Sequence, residues 1–319
     1  LRGYYHMKSA DWPGNRPHPL GEWSATALAE LPHYYVMELD KGMAETVAAE
    51  MPLFVICALM EMPTEKRRKF SELVDIMIGM DDPGMDVTAE KGQAAAAEIF
   101  EIAMELAARH KADPKPGTVL DALLRGVVEG EALSEFEFCS FFLILIAGGV
   151  ETTRTATNQG MRLLIEHPEQ LEKLVADPSL VPGAVEEILR FQPSFNYMQR
   201  TAMEDVRVGD MDIKKGDMVR MYYPSANHQP EVFGEDAESF DVTRALRMPD
   251  LKNQHRTFGM GQHFCLGSHL ARKELTVMFE EIVPRLRNPQ LAGQPRYLVS
   301  SFIAGIKEMN ITFDPEHPA

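Results

Sequence analysis

The residues best suited to chemistry lie in one glycine-rich stretch, Phe258-Gly-Met-Gly-Gln-His-Phe-Cys-Leu-Gly. Its cysteine, Cys265, stands just before a predicted helix, where unpaired backbone N–H groups and the helix dipole lower a thiol pKa and favour the metal-binding thiolate. Gly259, Gly261 and Gly267 surround it, and glycine suits a backbone that has positive φ or lies against a flat ligand. The stretch predicts either a ligand-binding cysteine or a buried cysteine on a glycine turn.

Two nearby histidines raise a third interpretation, a zinc site formed by His263, Cys265 and His269. Structural zinc sites use four ligands at recurring spacings, and this spacing matches no common zinc finger and lacks a fourth ligand. We therefore disfavour zinc. The other cysteines, Cys57 and Cys139, lie in apolar helical runs and are predicted core residues, because free cysteine packs like a small hydrophobe.

A second stretch, Ala147-Gly-Gly-Val-Glu-Thr-Thr, falls inside a long predicted helix. Two adjacent glycines in a helix interior cost about 1 kcal/mol each relative to alanine, so a compensating feature is expected. One such feature is a kink beside a ligand, where Glu151 and Thr152 relay protons to dioxygen. The other is a close helix crossing, with Glu151 in a salt bridge and Thr152 bonded back to the helix.

A third candidate is the pair Glu187 and Arg190, three residues apart on one helix face. On sequence alone, the simplest interpretation is a surface ion pair worth roughly a few tenths of a kcal/mol. Such a pair carries no chemistry by itself, so its meaning depends on its surroundings.

The elements that must position these residues are mostly helices. Apolar periodicity and capping signals predict helices over 64–79, 88–110, 118–127, 134–166, 168–176, 180–191 and 266–286. The longest begins at a capping box of Ser134 and Glu137 and is apolar nearly all round at 138–150, so it must cross the middle of the protein. Alternation at 206–223 predicts short antiparallel strands, and 298–303 with 309–313 resembles a last hairpin. The sequence predicts a mainly α protein with a small β part.

Composition excludes several classes of protein. The chain has 319 residues, 45% hydrophobic and 25% charged, as in globular proteins of one or two domains. Its net charge of −16 argues against binding to nucleic acid or to anionic membranes. No apolar run reaches about 18 residues, and the start lacks the features of a signal peptide. Three scattered cysteines predict a cytoplasmic protein. Residues 1–42 form a loop-rich N-terminal segment that precedes one domain at 43–319.

Taken together, Phe258, Gly261, His263, Cys265 and Gly267 stand in the spacing Phe-x-x-Gly-x-His-x-Cys-x-Gly. This spacing resembles the haem-binding loop of the cytochrome P-450 family of haem-thiolate monooxygenases. The resemblance implies the family fold, with a long central helix across the haem. It also implies haem b with a cysteine thiolate as axial ligand, and a loop whose phenylalanine and glycines contact the porphyrin.

Two further segments match the family in the same order along the chain. Gly148, Gly149, Glu151 and Thr152 resemble the oxygen-activating helix, and this implies that Glu151 and Thr152 are catalytic. Glu187 and Arg190 resemble the Glu-x-x-Arg signature of a buried structural network. The third member of that network in the family is a later arginine, for which Arg244 is the candidate, although Val242 and Thr243 replace the residues often seen before it.

The resemblance also implies binding residues. His263 and Arg200 fall where the family binds the haem propionates. An apolar substrate would be lined by Leu145 and Gly149 on the long helix and by the segment Phe195, Asn196, Tyr197 and Met198, with one hydrogen bond from Asn196 or Tyr197. Arg272 and Lys273 are the predicted docking face for a redox partner. Reversing the charge of Arg272 is expected to slow reduction and leave the haem spectrum unchanged.

The implied function is hydroxylation of an apolar molecule of terpenoid, steroid or polyketide type, with dioxygen and electrons from a ferredoxin or flavodoxin and its reductase. A monomer is expected. Two alternatives stay open: a truncated member that binds haem or an apolar ligand without turnover, and an enzyme driven by hydrogen peroxide. Compared with the usual family length, the chain starts about 80 to 100 residues late. Trp12 and Arg16 have the spacing of a propionate clamp, but Pro13 and Gly14 argue against the helix that it needs.

Overall fold

The computed structural model describes residues 48–128 and 130–314, and these are mainly helical with small two-stranded sheets. The mainly α prediction with a small β part is therefore confirmed. The predicted N-terminal segment 1–42, with Trp12 and Arg16, lies outside the described residues.

The helices follow the predicted order closely. In chain order they are α1 (Glu50–Leu59), α2 (Arg67–Ile78), α3 (Ala89–Ala112), α4 (Val119–Leu124), α5 (Glu135–Glu166), α6 (Pro168–Ala176), α7 (Val181–Phe191), α8 (Tyr223–Asn227), α9 (Pro230–Phe233), α10 (Arg244–Arg247), α11 (Leu251–Gln254) and α12 (Ser268–Ile282). The predicted capping box is present at the start of α5. The Ser134 hydroxyl accepts the Glu137 N–H at 3.3 Å, and the Glu137 carboxylate accepts the Ser134 N–H at 2.8 Å.

The strands are short. They are β1 (Val127–Val128), β2 (Glu131–Ala132), β3 (Tyr197–Thr201), β4 (Val206–Val208), β5 (Met211–Ile213), β6 (Met218–Tyr222), β7 (Arg287–Leu291), β8 (Arg296–Tyr297), β9 (Ile306–Glu308) and β10 (Ile311–Asp314). Antiparallel pairs join β1 with β2, β3 with β6, β4 with β5, and β8 with β9. The antiparallel strands predicted at 206–223 are present.

The last predicted hairpin is wrong in its first half. Residues 298–303 form no strand with 309–313; within the described chain, β9 pairs instead with β8. Ile303 forms an isolated bridge with Phe195, far earlier in the chain. Alternation of apolar residues marks an extended segment but does not say which segment it pairs with.

The chain divides into two compact units. Unit 1 comprises residues 48–154, 291–300 and 306–312, and unit 2 comprises 155–290, 301–305 and 313–314. The core of unit 1 packs α1, α2 and α3 against the first part of α5, with Phe70 and Phe142 in edge-to-face contact at 6.4 Å. Cys57 and Cys139 are buried in this core, as predicted.

The long helix α5 supplies its first part to unit 1 and its last part to unit 2. It stays α-helical across Gly148 and Gly149. A Cβ on Gly149 would lie 3.2 Å from Ile56 of α1, and this is the close helix approach of the alternative interpretation. In unit 2, a Cβ on Gly160 would meet the Phe279 ring of α12 at 2.5 Å. Both glycines let neighbouring helices approach closely.

Among the described residues, α5 is long and apolar enough to cross a membrane by length and composition alone. The core helix of a soluble protein passes the same test. In α5, Phe142, Ile146 and Val150 are buried in the core of unit 1.

One buried carboxylate ties together distant parts of unit 1. Asp82 lies between α2 and α3. Its carboxylate accepts hydrogen bonds from the Lys307 ammonium of β9 at 2.6 Å and from the Val299 N–H at 3.0 Å. It also accepts the Gly84 N–H at 2.8 Å. The hydrogen bond from Lys307, together with these N–H groups, lowers the pKa of Asp82 to about 2.

Asp82→Asn is expected to destabilise unit 1 in a pH-dependent way. A depressed native pKa stabilises the folded state above the unfolded-state pKa of about 3.9, and that contribution is lost as the pH falls through about 2. The difference in urea midpoint between wild type and variant should be constant from about pH 7 to about pH 4.5 and narrow below that. Asp81→Asn, at an exposed neighbour, is the control. A difference that did not change with pH would contradict this assignment.

Candidate functional site

The cysteine loop has the backbone that its glycines predict at two of three positions. Gly259 and Gly261 have φ of +71° and +70°, a region that other residues rarely adopt. Gly267 has an ordinary φ of −83° and caps α12. A Cβ on Gly261 or Gly267 would meet no atom within 4 Å, so the loop is open on that side. The Cys265 N–H donates to the Phe258 carbonyl at 2.9 Å and closes the loop.

Cys265 itself is partly buried, directly before α12. Burial raises the pKa of its thiol, whereas the Gly267 N–H and the charge of Arg272 act in the opposite direction. The expectation that the helix start alone lowers this pKa is therefore wrong, because desolvation is the larger effect. A metal ion that bound the sulfur would favour the thiolate directly.

Apolar side chains flank the cysteine without being buried. Phe264 is 49% exposed and Leu266 is 76% exposed. Large apolar side chains placed together at the surface are typical of a ligand-binding face. With the open side at Gly261 and Gly267, they form a cradle that fits a flat apolar group next to one sulfur ligand. Among the described residues no group of three or more His, Cys, Asp or Glu side chains is arranged for a metal ion, so zinc at His263, Cys265 and His269 has no support.

A buried tyrosine that sequence reasoning missed joins this loop. A Cβ on Gly259 would lie 3.2 Å from the Tyr223 hydroxyl and 3.7 Å from the His263 carbonyl. Burial raises the pKa of Tyr223, and the charges of Arg200 and Cys265 act on it in opposite senses. Arg200 is exposed on β3, and His263 is exposed on the loop. No local sequence signal marks Tyr223.

The structure brings Glu187, Arg190 and Arg244 together with no exposed side-chain surface. Arg190 donates to the Glu187 carboxylate at 2.7 and 2.8 Å, and Arg244 lies 3.1 Å from the same carboxylate. The remaining guanidinium N–H groups donate to carbonyls of Asn227, Phe233, Asp236, Ala237 and Ser239 and to the Asp236 carboxylate. The pair is therefore not a surface pair. Two buried guanidinium groups share one carboxylate, and every donor is used.

Asn227 connects this network to the segment that leads into the cysteine loop. It is fully buried, and its side-chain oxygen accepts the Arg256 N–H at 2.7 Å. Its amide group donates to the Arg190 carbonyl and to the Thr257 hydroxyl, both at 3.0 Å. Thr257 donates to the Leu189 carbonyl at 2.6 Å. Sequence reasoning missed Asn227 because its partners lie 29 to 37 positions away in the chain.

The two residues of the predicted partner-docking face, Arg272 and Lys273, differ in their exposure to solvent. Lys273 is exposed, whereas the Arg272 side chain is only 19% exposed and bonds the Glu186 carboxylate of α7 at 2.7 Å. Its guanidinium lies 4.5 Å from the centre of the Phe258 ring. A glutamate at position 272 would meet Glu186 beside the cysteine loop, so Arg272→Glu changes the surroundings of the loop as well as the docking face.

Glu151 and Thr152 lie in the part of α5 that belongs to unit 1. Thr152 donates its hydroxyl to the Gly148 carbonyl at 2.5 Å, and Glu151 forms an ion pair with Arg154. Arg154 also donates to Asp75 of α2 at 3.0 Å. Burial lowers the pKa of Arg154, but the carboxylates of Glu151 and Asp75 outweigh burial and hold that pKa above its ordinary value. The acid is thus buried in an ion pair with an arginine, and the alcohol is bonded back to the helix. Cys265 belongs to unit 2.

The predicted substrate segment is held by residues 301–303, which the sequence assigned to the last hairpin and not to the site. Phe195 bridges to Ile303, and the Asn196 N–H donates to the Phe302 carbonyl at 2.8 Å. The Phe302 ring lies 4.7 Å from that of Phe195 and 5.7 Å from that of Tyr197. The Asn196 side chain donates to the Ser301 carbonyl at 3.2 Å, so its amide N–H already has a partner. Met198 is half-buried in β3. Leu145 and Gly149, also half-buried, lie in unit 1.

Comparisons with known proteins agree on one family. The family model described as Cytochrome P450 matches residues 55–295. A steroid C26-monooxygenase of Rhodococcus jostii is 37% identical over 268 residues, which cover 84% of this chain and 54% of the relative. A methyl-branched lipid omega-hydroxylase of Mycobacterium tuberculosis is 33% identical over 273 residues, 85% of this chain and 62% of the relative.

A solved structure shows the same similarity in three dimensions. A cytochrome P450 of Mycobacterium marinum in complex with pseudoionone superposes with a TM-score of 0.81 at 29% identity, covering 90% of this chain and 70% of that one. The predicted fold is thereby confirmed. The chain spans somewhat more than half the length of the two curated relatives named above.

Proposed function

The chain belongs to the cytochrome P450 family, and from this premise we propose that it is a haem-dependent monooxygenase that hydroxylates an apolar small molecule with dioxygen and two externally supplied electrons. The observation that carries the proposal is Cys265 in its open, apolar cradle. Phe264 and Leu266 beside the thiol suit a porphyrin, and the open side at Gly261 and Gly267 leaves room for one.

The residues present fit haem b. Cys265 would be its axial ligand, and Phe258, Gly259, Gly261 and Gly267 would form the loop against the porphyrin. Exposed His263 and Arg200 would bind the propionates, because carboxylates favour charge-assisted hydrogen bonds. When bound, a thiolate-ligated haem supplies the activation of dioxygen for insertion into a C–H bond.

Glu151 and Thr152 are proposed to deliver protons in this reaction. The Thr152 hydroxyl, bonded to the Gly148 carbonyl, can rotate to pass on a proton, and its oxygen can accept another. Glu151 is the buried acid nearest in sequence, and Arg154 fixes the position of its carboxylate. The pair combines an acid with an alcohol, as a proton relay requires.

Glu151→Gln should slow product formation by about a hundredfold, because it removes the acid of the relay. The haem spectrum should not change, since position 151 lies outside the cysteine loop and the substitution leaves that loop as it is. Asp75→Asn is the matched control: it removes the other carboxylate on Arg154 and leaves the relay intact. Product formed per minute is the measurement, with the ferrous–CO band as the measure of loaded enzyme. Equal losses in both variants would show that Glu151 matters only through Arg154.

The proposed substrate is an apolar molecule of terpenoid, steroid or polyketide type. Phe195, Tyr197 and Met198 supply an aromatic and sulfur-containing surface, braced by Phe302. Leu145 and Gly149 are proposed to line the same substrate from α5. The relatives named for steroid and methyl-branched lipid oxidation act on molecules of the same character.

A ferredoxin or flavodoxin with its reductase is the proposed electron source, and the enzyme is proposed to be a cytoplasmic monomer. Exposed Lys273 is the proposed docking cation, since Arg272 is engaged with Glu186. We expect Lys273→Glu to slow reduction by the partner several-fold at low salt, and less at high salt, because ionic strength screens surface charges. Stopped-flow reduction measures this. A rate that is equal to wild type at low salt would exclude Lys273 from the docking face.

The experiment that tests the proposal is the absorbance of the haem-loaded ferrous chain with carbon monoxide. A band at about 450 nm is expected for thiolate ligation. Apolar ligands should then shift the ferric spin state. A band at about 420 nm would mean haem without a native thiolate and would favour a binding role without turnover. Turnover with hydrogen peroxide in the absence of a partner would favour the peroxide-driven alternative.

A further inference from the structure

Arg272 stands at the centre of a polar cluster beside the cysteine loop that the proposed reaction does not use. Its Nε donates to Glu186 at 2.7 Å, and its Nη2 donates to the Lys252 carbonyl at 3.0 Å. His255, itself buried, lies 3.0 Å from the other Glu186 oxygen. The guanidinium is thus fixed in direction by groups on two sides.

That direction places the guanidinium over an aromatic ring. Its central carbon lies 4.5 Å from the centre of the Phe258 ring, within the range of a cation–π contact. The His255 ring lies 6.0 Å from the same ring. Phe258 in turn offers its carbonyl to the Cys265 N–H at 2.9 Å. A continuous chain of contacts therefore runs from Glu186 through Arg272 and Phe258 to the backbone of the cysteine.

We propose that Arg272 is a positioning residue that clamps Phe258 and so fixes the cysteine loop, and that its charge raises the reduction potential of the iron bound there. The second part rests on the proposed function; the first does not. A fixed positive charge near the ligand disfavours the ferric state, and Glu186 offsets part of that charge.

The first experiment measures the clamp in the haem-free full chain, by hydrogen–deuterium exchange of peptides covering residues 256–267. Arg272→Gln should speed exchange of the loop about tenfold, because a charge-assisted hydrogen bond and the ring contact are lost. Arg285→Gln is the matched control. Arg285 has a similar exposure and lies past the end of α12, where it pairs with Glu281. It is remote in sequence from the cysteine loop.

The second experiment measures the midpoint potential of the haem-loaded chain. Arg272→Gln should lower it and Glu186→Gln should raise it. A merely structural role would not produce opposite signs, since both variants break the same ion pair. Arg272→Lys keeps the charge but not the planar fork, so it should leave the potential near wild type while the loop exchanges faster.

Each outcome decides one part. Equal exchange in Arg272→Gln and Arg285→Gln would overturn the clamp, and shifts of the same sign in Arg272→Gln and Glu186→Gln would overturn the electrostatic role. If Arg272→Gln failed to fold, Arg272→Lys would decide the clamp by its exchange. A wild-type chain without the band at about 450 nm would contradict the proposed function and with it the effect on potential. The exchange result would still decide the clamp.

Discussion

Cys265→Ser is expected to abolish the ferrous–CO band at about 450 nm and all turnover, because a serine hydroxyl does not replace a thiolate as an electron-donating ligand. Haem that remains bound should absorb at about 420 nm with carbon monoxide. The rest of the loop should be retained, since the backbone bond from position 265 to Phe258 does not involve the side chain. Absorbance spectra of purified, haem-loaded protein measure the effect.

Cys139→Ser is the control for this substitution. Cys139 is buried in the core of unit 1, and burial raises the pKa of its thiol, so it is a packing residue. The serine variant should keep the band at about 450 nm and lose only some stability. A band at about 450 nm in Cys265→Ser would mean that another group ligates the iron and would overturn the assignment of the site.

Glu187→Gln is expected to reduce the free energy of unfolding by about 3–5 kcal/mol, the usual range for breaking a buried ion pair from one side. The Glu187 carboxylate pairs with both Arg190 and Arg244, whose side chains have no exposed surface. It also accepts the Asp241 N–H at 3.0 Å, so the loss extends into the chain before α10. Urea titration followed by circular dichroism measures the change.

An exposed ion pair in the same unit provides the comparison. Arg207 and Asp212, at the β4–β5 hairpin, are each more than half exposed. Asp212→Asn should change stability by less than about 1 kcal/mol, since solvent screens such pairs. If Glu187→Gln cost no more than Asp212→Asn, the network would not be a determinant of stability.

Helices were the part of the fold that sequence predicted best, for a physical reason. Apolar periodicity, proline at a helix start and capping side chains act within a few residues, so they are visible along the chain. The helix predicted at 168–176 has those bounds in the structure, and the capping box at Ser134 forms the two bonds that define it. At Gly148 and Gly149 the sequence left a kink and a close helix crossing open, because the neighbour that Gly149 approaches, Ile56, lies far away in the chain.

The parts that sequence did not predict depend on distant pairing. Tyr223 and Asn227 contact the cysteine loop and the segment before it, and Phe302 contacts the predicted substrate segment. Each of these partners lies tens of residues away in the chain. The raised pKa of Cys265 has the same origin, because burial is set by the whole unit and the helix start is only local. Arg244 was found only through family resemblance; its carboxylate partner lies 57 positions earlier in the chain.

The buried network also has a consequence for the order in which the protein is made. Arg190 leaves the ribosome before Asn227, Ala237 and Ser239, whose carbonyl groups accept its hydrogen bonds, and Arg244 follows them. A guanidinium is too costly to bury without these partners, so α7 must stay solvated until they arrive. A nascent chain stopped before residue 227 should therefore expose the apolar side of α7 to chaperones. The network is complete only when Arg244 has been translated, more than fifty residues after α7.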